Sequence, residues 1–331
     1  MKNRKTKQRL RSILTWVLWV ILIQFVLINI SAALYAHKLT HLRTATADTW
    51  EPKERDIFTK TWRLFTGPTF YKQPLVDSPR FTYSTLQLTT SGDIPIEAWY
   101  SRPDSASKGT VIMLHGITSN KGELLDEATA FLEQHYSVLL VDLRNHGGSG
   151  GKSTSIGYRE AEEVRLAYEH VSSMGEKNII LWGASLGAVV ILKAVAESAL
   201  QPSAIILEMP FVSLQAHLEG RARTLGFPEQ PFGFLTTFWI GLEKGFNGLG
   251  FNVIKYAKKI HCPVLVQYGE KDDLVLKKEI DAIYSAIPVS NKKLTLYEHL
   301  GHQSILRADP ATWKNVVFGF LSGIALPTSG L

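Results

Sequence analysis

The chain has 331 residues, enough for one large domain or two ordinary ones and for a sizeable buried core. Hydrophobic residues make up 45% and charged residues 20%, a globular composition that excludes a wholly disordered or low-complexity chain. The formal charge of +6 is carried by Lys2, Arg4, Lys5, Lys7, Arg9 and Arg11; the other 30 cations balance 30 carboxylates, so the folded part offers no basic surface for nucleic acid.

The basic segment 1–12 precedes an uncharged apolar run, residues 13–36. Its 24 residues would make about 36 Å of helix, enough to cross a hydrocarbon core of about 30 Å with some tilt. Trp16, Trp19 and Tyr35 lie towards its ends, where amphipathic rings prefer the interface. A cleaved signal peptide, with Ser31-Ala32-Ala33 as its small-residue site, is the competing reading. Such peptides have apolar regions of only about 7–15 residues, which favours an uncleaved signal-anchor. The cations before the run, against only Lys38 and Arg43 after it, predict a single-pass protein with a cytoplasmic N-terminus and the rest outside the cytoplasm.

Residues 37–77 read as a polar connector with one short helical piece near Glu54 to Phe65. The region 78–325 is more regular. Phe81 to Thr89 and Ile94 to Tyr100 alternate like an antiparallel pair around the turn Ser91-Gly92-Asp93. Val111 to Leu114, Val138 to Val141, Asn178 to Trp182, Ala204 to Leu207 and Val264 to Tyr268 are short apolar runs suited to strands buried on both faces. Helical stretches lie between them at Glu123 to His135, Tyr158 to Ser173 and Ala188 to Ala196. Glu279 to Ile287, the strand Leu294 to Tyr297 and a last helix Trp313 to Phe320 complete the series. This alternation predicts an α/β fold with a mostly parallel sheet covered by helices on both faces. Residues 211–260 break the rhythm and read as a small helical cap. Its segment Phe232 to Ile240 is notably apolar, which suits packing on the core or, alternatively, a lid that meets acyl chains or membrane.

Gly183-Ala184-Ser185-Leu186-Gly187 reads G-x-S-x-G between an apolar strand and a helix, the pattern of a nucleophile elbow. In α/β folds the active groups gather on loops past the carboxyl ends of the strands. Those loops here hold His115-Gly116-Ile117, the run Asp142 to Gly150, Ser185, Gly269 to Asp273, and His299 to His302. On these residues the chain resembles an α/β-hydrolase-fold serine hydrolase of the esterase and lipase kind. His115-Gly116 is similar to the oxyanion loop of that family. Asp142 to Ser149 is similar to its D-x-R-x-x-G-x-S loop. Gly269-x-x-Asp272 is similar to the strand end that carries the acid, and Gly301-His302 to the setting of the histidine. The order serine, acid, histidine also matches.

The resemblance implies a Ser185-His302-Asp272 triad, with the backbone N–H groups of Ile117 and Leu186 as the oxyanion hole. The rivals are His299 for the base, Asp273 for the acid, and Glu208 as an alternative acid at the end of the next strand. Asp142, Arg144 and His146 are expected to stabilise their loop rather than to do chemistry. The expected reaction is hydrolysis of a carboxylic ester, small or lipid. A peptidase or thioesterase would use the same three residues, and a tethered binding protein would keep the fold without activity. No cofactor is expected. The ten histidines suggest no metal site, and the lone Cys262 excludes an intramolecular disulfide and reads as a buried thiol.

Overall fold

A computed structural model of the protein describes residues 2–44, 57–75 and 78–324. Residues 76–77 of the expected connector, the start of its helical piece at Glu54, and residue 325 at the end of the expected domain lie outside the described residues.

The chain opens with one long helix, α1 (Lys2–Thr40). Its side chains from Leu10 to Ile30 are exposed apart from half-buried Asn29, whereas Ala32, Tyr35, Ala36 and Leu39 are buried in the domain. The helix is long and apolar enough to cross a membrane. Beyond it, β1 (Arg43–Thr44) pairs in parallel with β2 (Tyr71–Lys72), and α2 (Ile57–Thr66) lies between them in the chain. The described part of the expected connector is thus packed: Lys38 Nζ donates to Thr66 Oγ1 at 2.6 Å and to Gly67 O at 2.9 Å, and Thr154 N–H donates to Thr40 O at 2.8 Å.

The sheet begins with the hairpin β3 (Ser84–Thr89) and β4 (Pro95–Ser101). There follow β5 (Thr110–Leu114), a short 3-10 turn and α3 (Leu125–Glu133), β6 (Ser137–Val141), α4 (Ala161–Ser173), β7 (Ile179–Ala184), α5 (Leu186–Glu197) and β8 (Ala204–Glu208). Three helices come next, α6 (Leu214–Thr224), α7 (Phe232–Lys244) and α8 (Ile254–Ala257). The chain closes with β9 (Val264–Gly269), α9 (Lys277–Ala286), β10 (Lys292–Tyr297), α10 (Ile305–Ala308) and α11 (Pro310–Ser322). The stretch expected as one helix from Glu123 is divided, a 3-10 turn to Leu124 and then α3, with Asn120 capping the turn.

The eight main strands run in the order β10-β9-β8-β7-β5-β6-β4-β3. All pairs from β10 to β6 are parallel, and β4 joins β6 antiparallel. Strands β5, β6, β8 and β9 are buried at every position, as their unbroken apolar runs require when helices cover both faces. α5 is buried from Leu186 to Val195 and packs directly under β7. Because the parallel strands share one direction, their carboxyl ends line a single edge of the sheet. The loops after β5, β6, β7, β9 and β10 therefore meet there.

Candidate active site

Ser185 sits between β7 and α5 with φ +52° and ψ −111°, a region that a residue with a Cβ occupies only under strain. The surroundings enforce it. A Cβ on Gly187 would lie 2.1 Å from Leu114 O, and one on Gly183 would lie 2.5 Å from the Gly187 carbonyl carbon, so no larger side chain fits either position. Both glycines of G-x-S-x-G are thus steric requirements of a turn pressed against β5.

The turn holds the Ser185 hydroxyl 3.1 Å from His302 Nε2. His302 Nδ1 is 2.6 Å from Asp272 Oδ2 on the loop after β9. The other oxygen of Asp272 accepts from Leu274 N–H and Val275 N–H, each at 2.8 Å, which fixes the carboxylate plane. The Asp272 side chain is fully buried and that of His302 is 23% exposed. The rivals are elsewhere: Asp273 and His299 are exposed. Glu208 is buried and accepts from Trp313 Nε1 at 2.6 Å and from Gln267 Nε2 at 3.0 Å; it lines the cavity over Ser185 but has no hydrogen bond to His302 among the described residues. Burial pushes its carboxyl up to about 8, with the nearby Glu127 carboxyl adding to the effect.

The loop after β5 carries Ile117 and is held by two buried histidines. His115 Nδ1 donates to Gly116 O at 2.7 Å, and its Nε2 accepts from Leu143 N–H at 3.0 Å. His146 Nδ1 donates to Arg144 O at 2.9 Å, and its Nε2 accepts from Thr118 N–H at 3.2 Å. These partners require both rings to be neutral, since a protonated Nε2 would face another N–H. Burial lowers His115 to about 4 and His146 to about 3. The pair thereby ties the loop after β5 to the loop after β6. Among the described residues, the Ile117 and Leu186 N–H groups donate to no protein acceptor. Gly116 lies close enough that a Cβ there would come within 3.7 Å of Ser185 Cβ. Gly116, next to Ile117, thus lies against the serine, and Leu186 follows the serine directly in the chain.

Asp142 and Arg144 are structural. Asp142 accepts from Lys121 N–H at 2.7 Å, from Gly148 N–H at 2.7 Å and from the Lys121 ammonium. Arg144 Nε donates to Glu163 at 2.5 Å. Sequence reasoning missed Lys121, which is fully buried between Asp142 and Glu97 under the Trp99 ring. It also missed Glu127, whose Oε1 accepts from Ser304 Oγ at 2.6 Å and so steadies the loop after His302. Nothing in the local sequence marks either residue, because each is defined by a partner distant in the chain. A cavity of about 410 Å³ opens over Ser185 and His302, lined also by Gly116, Ile117, Met209 and Arg221. Cys262 is buried outside it, its thiol pushed up to about 12 by burial.

A strained serine on a β7-to-α5 turn, in a sheet of this order, belongs to the α/β-hydrolase fold, and the chain is a hydrolase of that fold. A family model described as serine aminopeptidase, S33, matches residues 105–235. The chain is similar to the Pyrococcus furiosus esterase Pf2001, with a TM-score of 0.62 at 26% identity over 74% of this chain and 92% of the esterase. It is 22% identical to a monoacylglycerol lipase of Mycolicibacterium smegmatis over 61% of this chain and 83% of the lipase. An uncharacterized membrane protein of Saccharomyces cerevisiae is 24% identical over 70% of this chain and 78% of its own length.

Proposed function

We propose that the protein is a membrane-anchored serine esterase. The observation that carries the reading is the hydrogen-bonded series Asp272, His302 and Ser185, at 2.6 and 3.1 Å, ending on a strained serine in a cavity. In this reading His302 Nε2 takes the Ser185 proton as Oγ attacks the ester carbonyl carbon. The carbonyl oxygen becomes the oxyanion and accepts from the Ile117 and Leu186 N–H groups. As the intermediate collapses, the C–O bond to the alcohol breaks and His302 returns the proton to the leaving oxygen. Water then repeats the sequence on the acyl-Ser185 ester, releasing the acid. Asp272 keeps the imidazole in the useful tautomer and stabilises its charged form.

α1 is the anchor in this reading, with residues 2–12 in the cytoplasm and the hydrolase domain across the membrane. Support comes from its exposed apolar surface and from the similarity to a yeast protein named as a membrane protein. The description of the family model keeps a second reading open, cleavage of an aminoacyl amide by the same residues.

Labelling of the folded protein by a fluorophosphonate is expected, and Ser185→Ala should abolish it. Labelling that persists in Ser185→Ala would overturn the nucleophile. Esters and aminoacyl amides compared at equal concentration separate the two substrate classes. A reporter fused after residue 331 that works only in the cytoplasm would overturn the orientation.

A further inference from the structure

We infer that helix α7 lies in the outer leaflet of the membrane, with Phe234, Phe238 and Leu242 among the lipid acyl chains, so that the catalytic domain rests on the bilayer by its cap. The inference rests on the reading of α1 as a membrane anchor.

Residues four apart on a helix share a face. On α7 the outward stripe is Phe234, Phe238 and Leu242, exposed by 44%, 44% and 61%. The inward side is made by Gly233, Thr236, Thr237, Ile240 and Gly241, all buried. A cap helix in water carries polar residues on its outer face. This one carries large apolar residues there, and no ionisable residue occurs from Pro231 to Leu242. The turn leading into it adds exposed Leu225 and Phe227.

The position of α7 against α1 identifies what covers that stripe. Phe232, at the start of α7, packs edge-on against Tyr35 at 4.8 Å. Glu243, near its end, lies 3.1 Å from His37 Nδ1 and 3.3 Å from His41 Nδ1. Phe232 and Glu243 are about 16 Å apart along α7, whereas their partners Tyr35, His37 and His41 span about 9 Å at the end of α1. The cap helix therefore packs obliquely on the end of the anchor, which brings it to the membrane surface when α1 runs along the normal. Between the two contacts, Trp239 reaches towards the start of α1, with Nε1 3.4 Å from Asn29 Oδ1. With Phe25, Val26, Ile30, Ala33 and Leu34 it encloses an apolar groove of about 470 Å³. These α1 residues belong to the uncharged run 13–36, the part at hydrocarbon depth. His37, Lys38 and His41, with Glu243 and Lys244, form a polar collar just beyond it. Phe238 stands 5.6 Å from Trp239 and so adjoins the groove formed with the exposed apolar side chains of α1, and the lipid that the anchor reading places on α1 is the partner assigned to the stripe.

The catalytic cavity meets α1 through one residue of its wall. Arg221 donates from Nε to the Tyr35 hydroxyl at 3.3 Å.

The test uses the full chain reconstituted in phosphatidylcholine–phosphatidylglycerol vesicles. Cys262 is buried and stays in place. Single cysteines replace Phe238, Leu242, Val20 on the anchor, or Asp104 on the exposed loop before β5, at the end of the sheet opposite the cap. Each is labelled with a nitrobenzoxadiazole fluorophore and exposed to lipids carrying a nitroxide on the acyl chain. The labels at 238 and 242 should emit at shorter wavelength and be quenched as the label at 20 is, while the label at 104 is not. Quenching at 20 with none at 238 and 242 would overturn the inference and leave the anchor standing, and energy transfer between copies at 238 would then assign the stripe to a dimer contact. Absence of quenching at 20 as well would overturn both. Neither result bears on Ser185, since no activity is measured.

Discussion

Replacing Asp272 by asparagine tests the triad at its least visible member. Asp272 Oδ1 accepts two backbone N–H groups, from Leu274 and Val275. An asparagine must keep its oxygen there, so its Nδ2 turns to His302 Nδ1 in place of Oδ2. An amide N–H can only donate, and His302 Nδ1 must then accept. The ring proton moves to Nε2, which faces Ser185 Oγ and can no longer take its proton. The packing is unchanged in shape, so the cost falls on kcat and not on folding. The wrong tautomer should lower kcat/KM by about 10⁴-fold, about 5 kcal/mol of transition-state stabilisation. The assay is hydrolysis of a soluble p-nitrophenyl ester by purified protein, with thermal melting of parent and variant as the check on folding. A folded Asp272→Asn variant within about tenfold of the parent, a cost of only about 1.4 kcal/mol, would refute the assignment.

Glu208→Gln should leave ester hydrolysis near the parent level, because Glu208 faces Trp313 and Gln267; a loss as large as that of Asp272→Asn would make it the acid. The same variant should change the pH dependence of stability. The folded Glu208 holds its proton up to about 8 while the unfolded chain releases it near 4.5, so the parent loses stability as pH rises through that window and the variant loses less, as urea midpoints at pH 5 and 8 would show. His115 and His146 act in the opposite direction. Each stays neutral when folded and takes a proton near 6.5 when unfolded, so stability falls as pH drops from 6.5 towards 4, by about 1.4 kcal/mol per pH unit for each ring. A His146→Gln variant should show a correspondingly shallower fall, and an unchanged slope would count against a buried neutral ring. Gly187→Ala drives a methyl into Leu114 O, 2.1 Å away, and should destabilise the fold by about 1–3 kcal/mol in urea unfolding; a variant of parental stability would show that β5 yields there.

Much of this arrangement is legible in the chain because it depends on local chemistry. The apolar runs of β5, β6, β8 and β9 identify strands covered on both faces, and the helices between them impose a parallel sheet. The two glycines around Ser185 mark a turn that tolerates no side chain. Boundaries were less legible: the strand expected from Phe81 begins at Ser84, and the helix expected from Glu123 begins as a 3-10 turn, because Asn120 caps that turn first. Lys121 and Glu127 were invisible, since a buried ion or carboxyl is recognised by its partner. Those partners, Asp142 and Ser304, are 21 and 177 residues away in the chain.

The sequence by itself determined the class of fold, the strained serine and the long apolar helix, each written in neighbouring residues. Only the tertiary structure decided which of His302 and His299 meets Ser185 and which of Asp272 and Asp273 meets that histidine. One residue's shift along a loop exchanges a buried side chain for an exposed one, and spacing alone does not record that rotation. It also decided the character of the cap. The segment Phe232 to Ile240 is apolar however it folds, but its packing on α1 leaves Phe234, Phe238 and Leu242 outside the core, beside the exposed apolar helix.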